Sequence, residues 1–486
     1  MDKNKERNLS LLADFYEFTM ANGYLMKNME NKVAYFDLFF RNIPDNGGFA
    51  ICCGLESCIS YLKNLSFTEE DVKYFKSKNI FSDKFIDFIR NFKLEADIWA
   101  VPEGSVVFPG EPLITVRAKC IEAQILETML LLLINHQSLI ATKASRIVRA
   151  SKGRAVMEFG SRRAQGADAA NFGARSAYIA GCIGSANTLA DRDFKVPALG
   201  TMAHSWVQMF DSELEAFKAY AETFPDSTVL LVDTYDTLRS GVPNAIKTFD
   251  EVLKPMGIRP KGIRLDSGDI AYLSKQARKM LDDAGYEDVQ ITASSSLDEY
   301  KIMDLLMQGA KLDSFGVGER LITSKSSPVF GGVYKLVATE EDGKIENKIK
   351  ISENVEKITT PGFKTFYRLY DKNTGKAEAD LITFKDEKID DSKDLEIFHP
   401  IHTWKRKTIS NFTAREMMVK IFDKGNLVYK LPSLEEVKKY TESELDSMWE
   451  EVKRFEFPHQ YIVDLSQSVW DEKTKMLNER NYKKKY

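Results

Sequence analysis

Between Ala155 and Leu321 the chain repeats one pattern: a short apolar run, a cluster of glycine or polar residues, then a stretch with helical spacing. AVMEFG (Ala155–Gly160), VLLVDTYDT (Val229–Thr237), KGIRLDSGD (Lys261–Asp269), VQITASSS (Val289–Ser296) and LDSFGVGERL (Leu312–Leu321) supply the runs. Ala271–Ala284 and Leu297–Gln308 are helical segments between them. Apolar runs of strand length separated by helices predict parallel strands with helical crossovers. The glycines and polar residues follow the strands, where parallel α/β folds place their chemistry. Because at least five strand ends carry such groups, we expect an irregular parallel α/β barrel in preference to an open sheet.

Outside this stretch the pattern is mixed. Asp14–Met26 reads as a helix with Asp14 as N-cap, and Val33–Phe40 as a strand followed by an Asn46-Gly47-Gly48 turn. Residues 102–118 read as two strands around Pro109-Gly110 in a sandwich-like unit, and Ile121–Ala150 as a long helical stretch. After Lys335 the chain turns polar, and residues 339–357 read as an exposed excursion. Residues 348–386 look β-rich, 433–456 look helical with Ser433 and Thr441 as caps, and the NERNYKKKY tail reads as a solvated end. The expected division is an N-terminal α+β domain (1–150), the barrel (151–338) and a C-terminal mixed extension (339–486).

Composition narrows the function classes. A chain of 486 residues with 43% hydrophobic and 29% charged residues has ample material for more than one core. Lys+Arg 68 against Asp+Glu 72 leaves a net charge of −4, which gives no reason to expect nucleic acid or a membrane as partner. The most apolar run, Met129–Ile134, is far short of the roughly 20 residues that span a bilayer. The charged N-terminus has no signal-peptide core, so the expected location is cytoplasmic. Cys52, Cys53, Cys58, Cys120 and Cys182 lack metal-ligand spacing and read as reduced, buried thiols; no structural zinc and no protein-held metal cluster is expected.

The candidate chemistry concentrates at the run ends. Glu158 to Ser205 is dense in glycine, which marks turns and close approaches of backbone or ligand. Phe159, Gly160, Ser161, Arg162 and Arg163 set an aromatic face beside guanidinium groups suited to phosphate or carboxylate; a structural salt bridge is the competing role, more so for Arg163. Asp233 and Asp266 are carboxylates able to hold ribose hydroxyls or a Mg²⁺ on phosphates, whereas Asp236 and Asp269 read better as helix caps. Arg264 leaves its strand on the same face as Asp266, and an inward Arg–Asp pair is costly unless a ligand or partner satisfies it. Ser294-Ser295-Ser296 and Gly316-Val317-Gly318 would offer backbone N–H groups at helix starts to a phosphate monoester, although a plain strand-to-helix turn reads as well. His204, in GTMAHS between the hydroxyls of Thr201 and Ser205, is a candidate nucleophile or general base; a buried histidine that merely satisfies its neighbours is the alternative.

DFYEFTMANGY, EFGSRRAQG, GTMAHS, VDTYD, IRLDSGD, FGVGERL and SSPVFGGVYKLV, in this order from Asp14 to Val337, together resemble the nicotinate phosphoribosyltransferases. The resemblance implies transfer of phosphoribosyl from phosphoribosyl pyrophosphate to nicotinate, coupled to ATP hydrolysis through a phosphorylated histidine, for NAD salvage. It implies the irregular barrel of type II phosphoribosyltransferases, Mg²⁺ accompanying pyrophosphate and ATP, and a homodimer with shared active sites. Carried over by position, His204 matches the phosphorylated histidine, and Phe159 and Tyr16 match the rings around the pyridine, Tyr16 from the partner subunit. Arg264 and Thr201 match residues near the nicotinate carboxylate, Arg162 a phosphate contact, and Asp233 and Asp266 acids around histidine and ribose. Gly316, Gly318 and Thr323 match a 5-phosphate site. The chain departs from the family's frequent GTSN at Gly184-Ser185-Ala186-Asn187. Relatives that use nicotinamide place an acid where Ala186 stands, so nicotinate is the expected base. The competing readings are a nicotinamide phosphoribosyltransferase, a sugar-phosphate lyase or isomerase of barrel fold, and a non-catalytic nucleotide-binding regulator.

Overall fold

A computed structural model describes residues 7–354 and 357–482; residues 1–6 and the last four residues of the expected solvated tail lie outside the described residues. The chain divides into two compact units, Met1–Leu139 with Val329–Tyr486, and Ile140–Pro328.

The second unit is built on six parallel strands: β1 (Ala155–Glu158), β2 (Gly184–Ser185), β3 (Val229–Leu231), β4 (Gly262–Leu265), β5 (Gln290–Ala293) and β6 (Ser314–Val317). Their order is β2-β1-β6-β5-β4-β3. Register pairs such as Phe315 with Val156 and Thr292 with Arg264 align the strand ends along one edge. Val156, Leu230, Ile263, Ile291 and Phe315 are buried in this sheet, as the continuous apolar runs of a parallel sheet require. Helices follow because acids cap them: Asp269 accepts the Tyr272 N–H ahead of Ile270–Asp283, and Asp298 accepts the Lys301 N–H ahead of Glu299–Met307. The expected barrel does not close. Beyond β2 the described residues form one isolated bridge, Ser185 with Ala198, and the chain runs from β2 to β3 through the helices Thr188–Phe194, His204–Gln208 and Glu213–Thr223. The result is a curled, open parallel half-barrel.

In the first unit a seven-stranded antiparallel sheet runs in the order 344–347, 332–341, 33–40, 114–119, 97–100, 419–423, 426–427. The segments before and after the half-barrel therefore interleave, in contrast with the three consecutive domains read from the sequence. Val33–Phe40 pairs with Gly332–Glu341 on one side and Ile114–Lys119 on the other. The two strands around Pro109-Gly110 exist, but Val106–Val107 pairs with Ala50–Ile51 and not with Ile114–Lys119. The excursion after Lys335 is in part a hairpin, since Gly332–Glu341 turns into Lys344–Asn347. Ser433 and Glu436 form a capping box on Leu434–Ser447. Thr441 lies inside that helix, donating to the Val437 carbonyl at 2.9 Å, and caps nothing. The expected long helix is two, Cys120–Ile125 and Glu127–Ala150. Together they are long and apolar enough to cross a membrane by length and composition, yet 61% of their most apolar stretch is buried inside the fold, as in a core helix. All five cysteines are buried and none is in a disulfide.

Candidate active site

The C-terminal ends of β1, β3, β4, β5 and β6 converge on one set of side chains. At the end of β1, Phe159 donates its N–H to Val317 O at 2.8 Å, tying two strand ends together. Its ring lies over Gly316: a Cβ there would come within 2.5 Å of Phe159 Cδ2. Gly160 is equally constrained, since a Cβ would meet Ile322 Cβ at 2.6 Å and Gly318 O at 2.7 Å. These glycines are places of close approach, which is why the motif tolerates no side chain there. Ser161–Arg163 then forms a single tight turn that leaves Arg162 and Arg163 exposed.

Arg264 leaves the end of β4, and its Nη1 donates to Thr201 Oγ1. Its Nε is buried and has no hydrogen-bond partner among the described residues. Burial pushes the guanidinium pKa down, while Asp266 and Asp233 support its charge and Arg162 opposes it. A desolvated guanidinium with an unused donor is a receptor for a carboxylate.

His204 opens the short helix His204–Gln208. Its Nδ1 lies 3.1 Å from Thr234 Oγ1, and its Nε2 lies 3.9 Å from Asp266 Oδ2. Asp266 is itself held, accepting the Ser294 hydroxyl at 2.6 Å through Oδ1. Asp233 does not approach the histidine as a partner. Its Oδ2 accepts the Asp266 N–H at 2.9 Å and the Ser267 hydroxyl at 2.6 Å, while its Oδ1 is buried without a partner among the described residues. An acceptor-only oxygen left buried is a site for a ligand hydroxyl or cation.

Asp236 and Asp269 are caps, as expected: Asp236 accepts from Leu238 and Arg239 N–H, Asp269 from Tyr272 N–H. The proposed phosphate donors fare differently. The helix after Ser294-Ser295-Ser296 starts at Glu299 and is capped by Asp298, so the three serines are not at its N-terminus. Gly318 precedes a four-residue helix, Glu319–Ile322, and Thr323 closes it with its hydroxyl donating to Glu319 O at 2.7 Å. Tyr16 belongs to the other compact unit, exposed on helix Phe15–Met26 with its phenol beside Glu127; burial and that carboxylate push its pKa up.

Sequence reasoning passed over Thr234 as the histidine's partner and Glu158 as a buried carboxylate. For Glu158 the signal was present, an acid closing an otherwise apolar strand. For Thr234 it was only a hydroxyl between two acids. No group of three or more His, Cys, Asp or Glu among the described residues is arranged to hold a metal.

Three family comparisons match consecutive stretches of the chain. Residues 11–135 match the nicotinate phosphoribosyltransferase N-terminal domain, 154–360 the nicotinate phosphoribosyltransferase family, and 363–473 its C-terminal domain. The nicotinate phosphoribosyltransferase of Bacillus subtilis is 46% identical over 98% of this chain and 96% of its own. That of Mycobacterium tuberculosis is 44% identical over 74% of this chain and 75% of its own. The crystal structure of human nicotinic acid phosphoribosyltransferase superposes with a TM-score of 0.82 at 28% identity, covering 96% of this chain and 100% of that one.

Proposed function

The chain belongs to the nicotinate phosphoribosyltransferase family, and we propose that it joins nicotinate to phosphoribosyl pyrophosphate with ATP hydrolysis coupled through His204. The observation that carries this reading is the strand-end assembly itself: a half-buried Arg264 with a buried, unused Nε–H, and a histidine that has Thr234 at one ring nitrogen and Asp266 3.9 Å from the other.

Each residue then has a task. Arg264 and Thr201 take the nicotinate carboxylate, and Phe159, seated on Gly316, stacks against the pyridine. Tyr16 of the partner subunit supplies the second ring in a homodimer. The pyridine nitrogen forms a bond to ribose C1 as the C1–oxygen bond to pyrophosphate breaks, and the bonding pair leaves with pyrophosphate. Positive charge that develops on the ribose is stabilised by Asp233 Oδ1 and Asp266. Arg162 is an exposed cation for phosphate, and Gly316 and Gly318 keep the β6 end open toward the 5-phosphate.

The donor set fits Mg²⁺ as a companion of the phosphates, since Asp233 Oδ1 and Asp266 are hard oxygens too few to cage an ion alone. When bound, Mg²⁺ neutralises charge on the departing pyrophosphate.

With Asp266 nearest Nε2, at 3.9 Å, the nucleophile on this reading is the Nδ1 lone pair: it bonds to the γ-phosphorus of ATP as the bond from that phosphorus to the bridging oxygen breaks, ADP leaves with the bonding pair, and water later takes the phosphoryl group off the ring as inorganic phosphate. The Thr234 hydroxyl is the group that holds Nδ1 before attack. The phosphorylated ring then places negative charge beside the ribose site. The half-barrel is of the type II phosphoribosyltransferase kind on this reading.

Ala186 is exposed and brings no carboxylate to the site, so nothing there opposes a carboxylate-bearing base. Assays of the purified chain with phosphoribosyl pyrophosphate should give mononucleotide from nicotinate, faster with ATP, and little from nicotinamide. Equal turnover of both bases would reject the assignment of the base.

A further inference from the structure

Glu158 is fully buried at the end of β1, and burial raises its carboxyl pKa. Burying a carboxylate without a cation is costly, and the groups that hold this one are neutral. Oε1 accepts the N–H of Gly160, and Oε2 accepts the Ser185 hydroxyl at 2.5 Å. Ser185 Oγ in turn accepts the Asn187 N–H at 3.0 Å, and Asn187 caps Thr188–Phe194. The backbone follows the same path, with Ala186 N–H donating to Glu158 O at 2.8 Å. One side chain thus clamps the peptide that follows Phe159 and, through a single hydroxyl, the 185–187 turn that carries Ala186.

We infer that Glu158, acting through Ser185, is a positioning residue that fixes the Phe159 ring relative to the 185–187 turn and so sets the affinity for the pyridine base. This rests on the reading of Phe159 as the pyridine platform. A hydrocarbon at position 158 would remove the burial cost but leave the Gly160 N–H and the Ser185 hydroxyl without an acceptor. The two strand ends would then be held to each other by backbone pairing alone. The Phe159 N–H is tied to Val317 O and its ring packs on Gly316, so strand β6 fixes one side of this peptide and the Glu158 carboxylate links it by side chain to the 185–187 turn on the other.

The test uses the full-length protein with Ser185→Ala, the isosteric Glu158→Gln and the double variant. Each should raise the KM for nicotinate about 10-fold, the loss expected when a hydrogen bond to a charged group is removed. kcat and the KM for phosphoribosyl pyrophosphate should change much less. The double variant should be no worse than the poorer single one, since both act through one link. 4-Fluorophenylalanine at position 159 gives a readout independent of turnover. Its ¹⁹F resonance should be single and narrow in the parent and should broaden or split in both variants. Unmodified protein that ignores nicotinate would reject the functional reading but leave the ¹⁹F comparison decisive for the clamp. A narrow, unshifted resonance in folded variants, or equal rises in both KM values, would overturn the proposal.

Discussion

The histidine's environment shows how a side chain acquires a role from its neighbours. Asp233 and Asp266 both follow strands and are equivalent by sequence, but they divide the work. Asp266 faces His204 Nε2, whereas Asp233 Oδ2 is spent on the Asp266 N–H and Ser267, holding the loop that presents Asp266. Thr234 takes the other ring nitrogen. That Arg264 and Asp266 leave one strand end together was legible from their spacing, a local property, whereas Thr201 beside Arg264 entered only through the family resemblance. The Thr234 contact was not legible, because it joins residues on separate crossovers whose meeting depends on the curl of the sheet. Thr234→Val keeps the volume and deletes the hydroxyl. It should lower the ATP-stimulated increment about 10-fold while leaving ATP-independent synthesis near the parent rate. Initial rates with and without ATP decide this; an unchanged ATP increment would remove Thr234 from the account.

At the scale of elements, strand and helix positions were readable from apolar runs and capping acids, but neighbours and closure were not. The two-residue β2 and three-residue β3 are real strands whose sequences say nothing about whether they meet, and they do not. The helix Phe15–Met26 carries a second lesson. Its Glu17 is fully buried, accepting the Thr128 N–H at 3.1 Å and hydroxyl at 2.5 Å through Oε1, while Oε2 has no partner among the described residues. Burial pushes the carboxyl from the ordinary 4.5 up to about 7, against the pull of the Thr128 hydrogen bonds. Between those values the folded protein holds a proton that the unfolded chain has released, so the folded state loses stability as pH rises through that window. Glu17→Gln should abolish this component. Relative to the parent, the variant should gain about 1–3 kcal/mol above pH 7 and nothing near pH 4.5. Urea midpoints of both proteins across pH 4.5 to 8 check it, and a difference that does not depend on pH would contradict it.

For the whole molecule, the sequence pattern suggested consecutive domains because hydrophobic periodicity carries no information about distant partners. Val33–Phe40 pairs with Gly332–Glu341 across the entire half-barrel segment, and buried Arg368 bridges Asp380 and Glu444, pairings visible only in three dimensions. The N-terminal helix also leaves Phe15, Tyr16 and Met20 exposed, with Leu12 exposed just before it. On the proposed homodimer, in which Tyr16 acts on the partner's pyridine, Tyr16→Ala and His204→Ala subunits should each lack the ATP-stimulated rate alone and should complement each other. After subunit exchange in equal amounts, half of the dimers are mixed and each has one intact site, so activity should return to about a quarter of the parent. No recovery despite proven exchange, or a fully active monomer at dilution, would contradict the shared site.

In the proposed reaction, His204 is the carrier that links ATP to nucleotide formation. The most direct measurement is ³²P transfer from γ-labelled ATP to the purified chain, with the label characterised by acid and base treatment and mapped by mass spectrometry. The predicted result is an acid-labile, base-stable phosphate on His204, discharged during turnover with nicotinate and phosphoribosyl pyrophosphate and absent from His204→Ala, which retains slow ATP-independent synthesis. Undiminished labelling of His204→Ala, or ATP stimulation that survives the substitution, would contradict it.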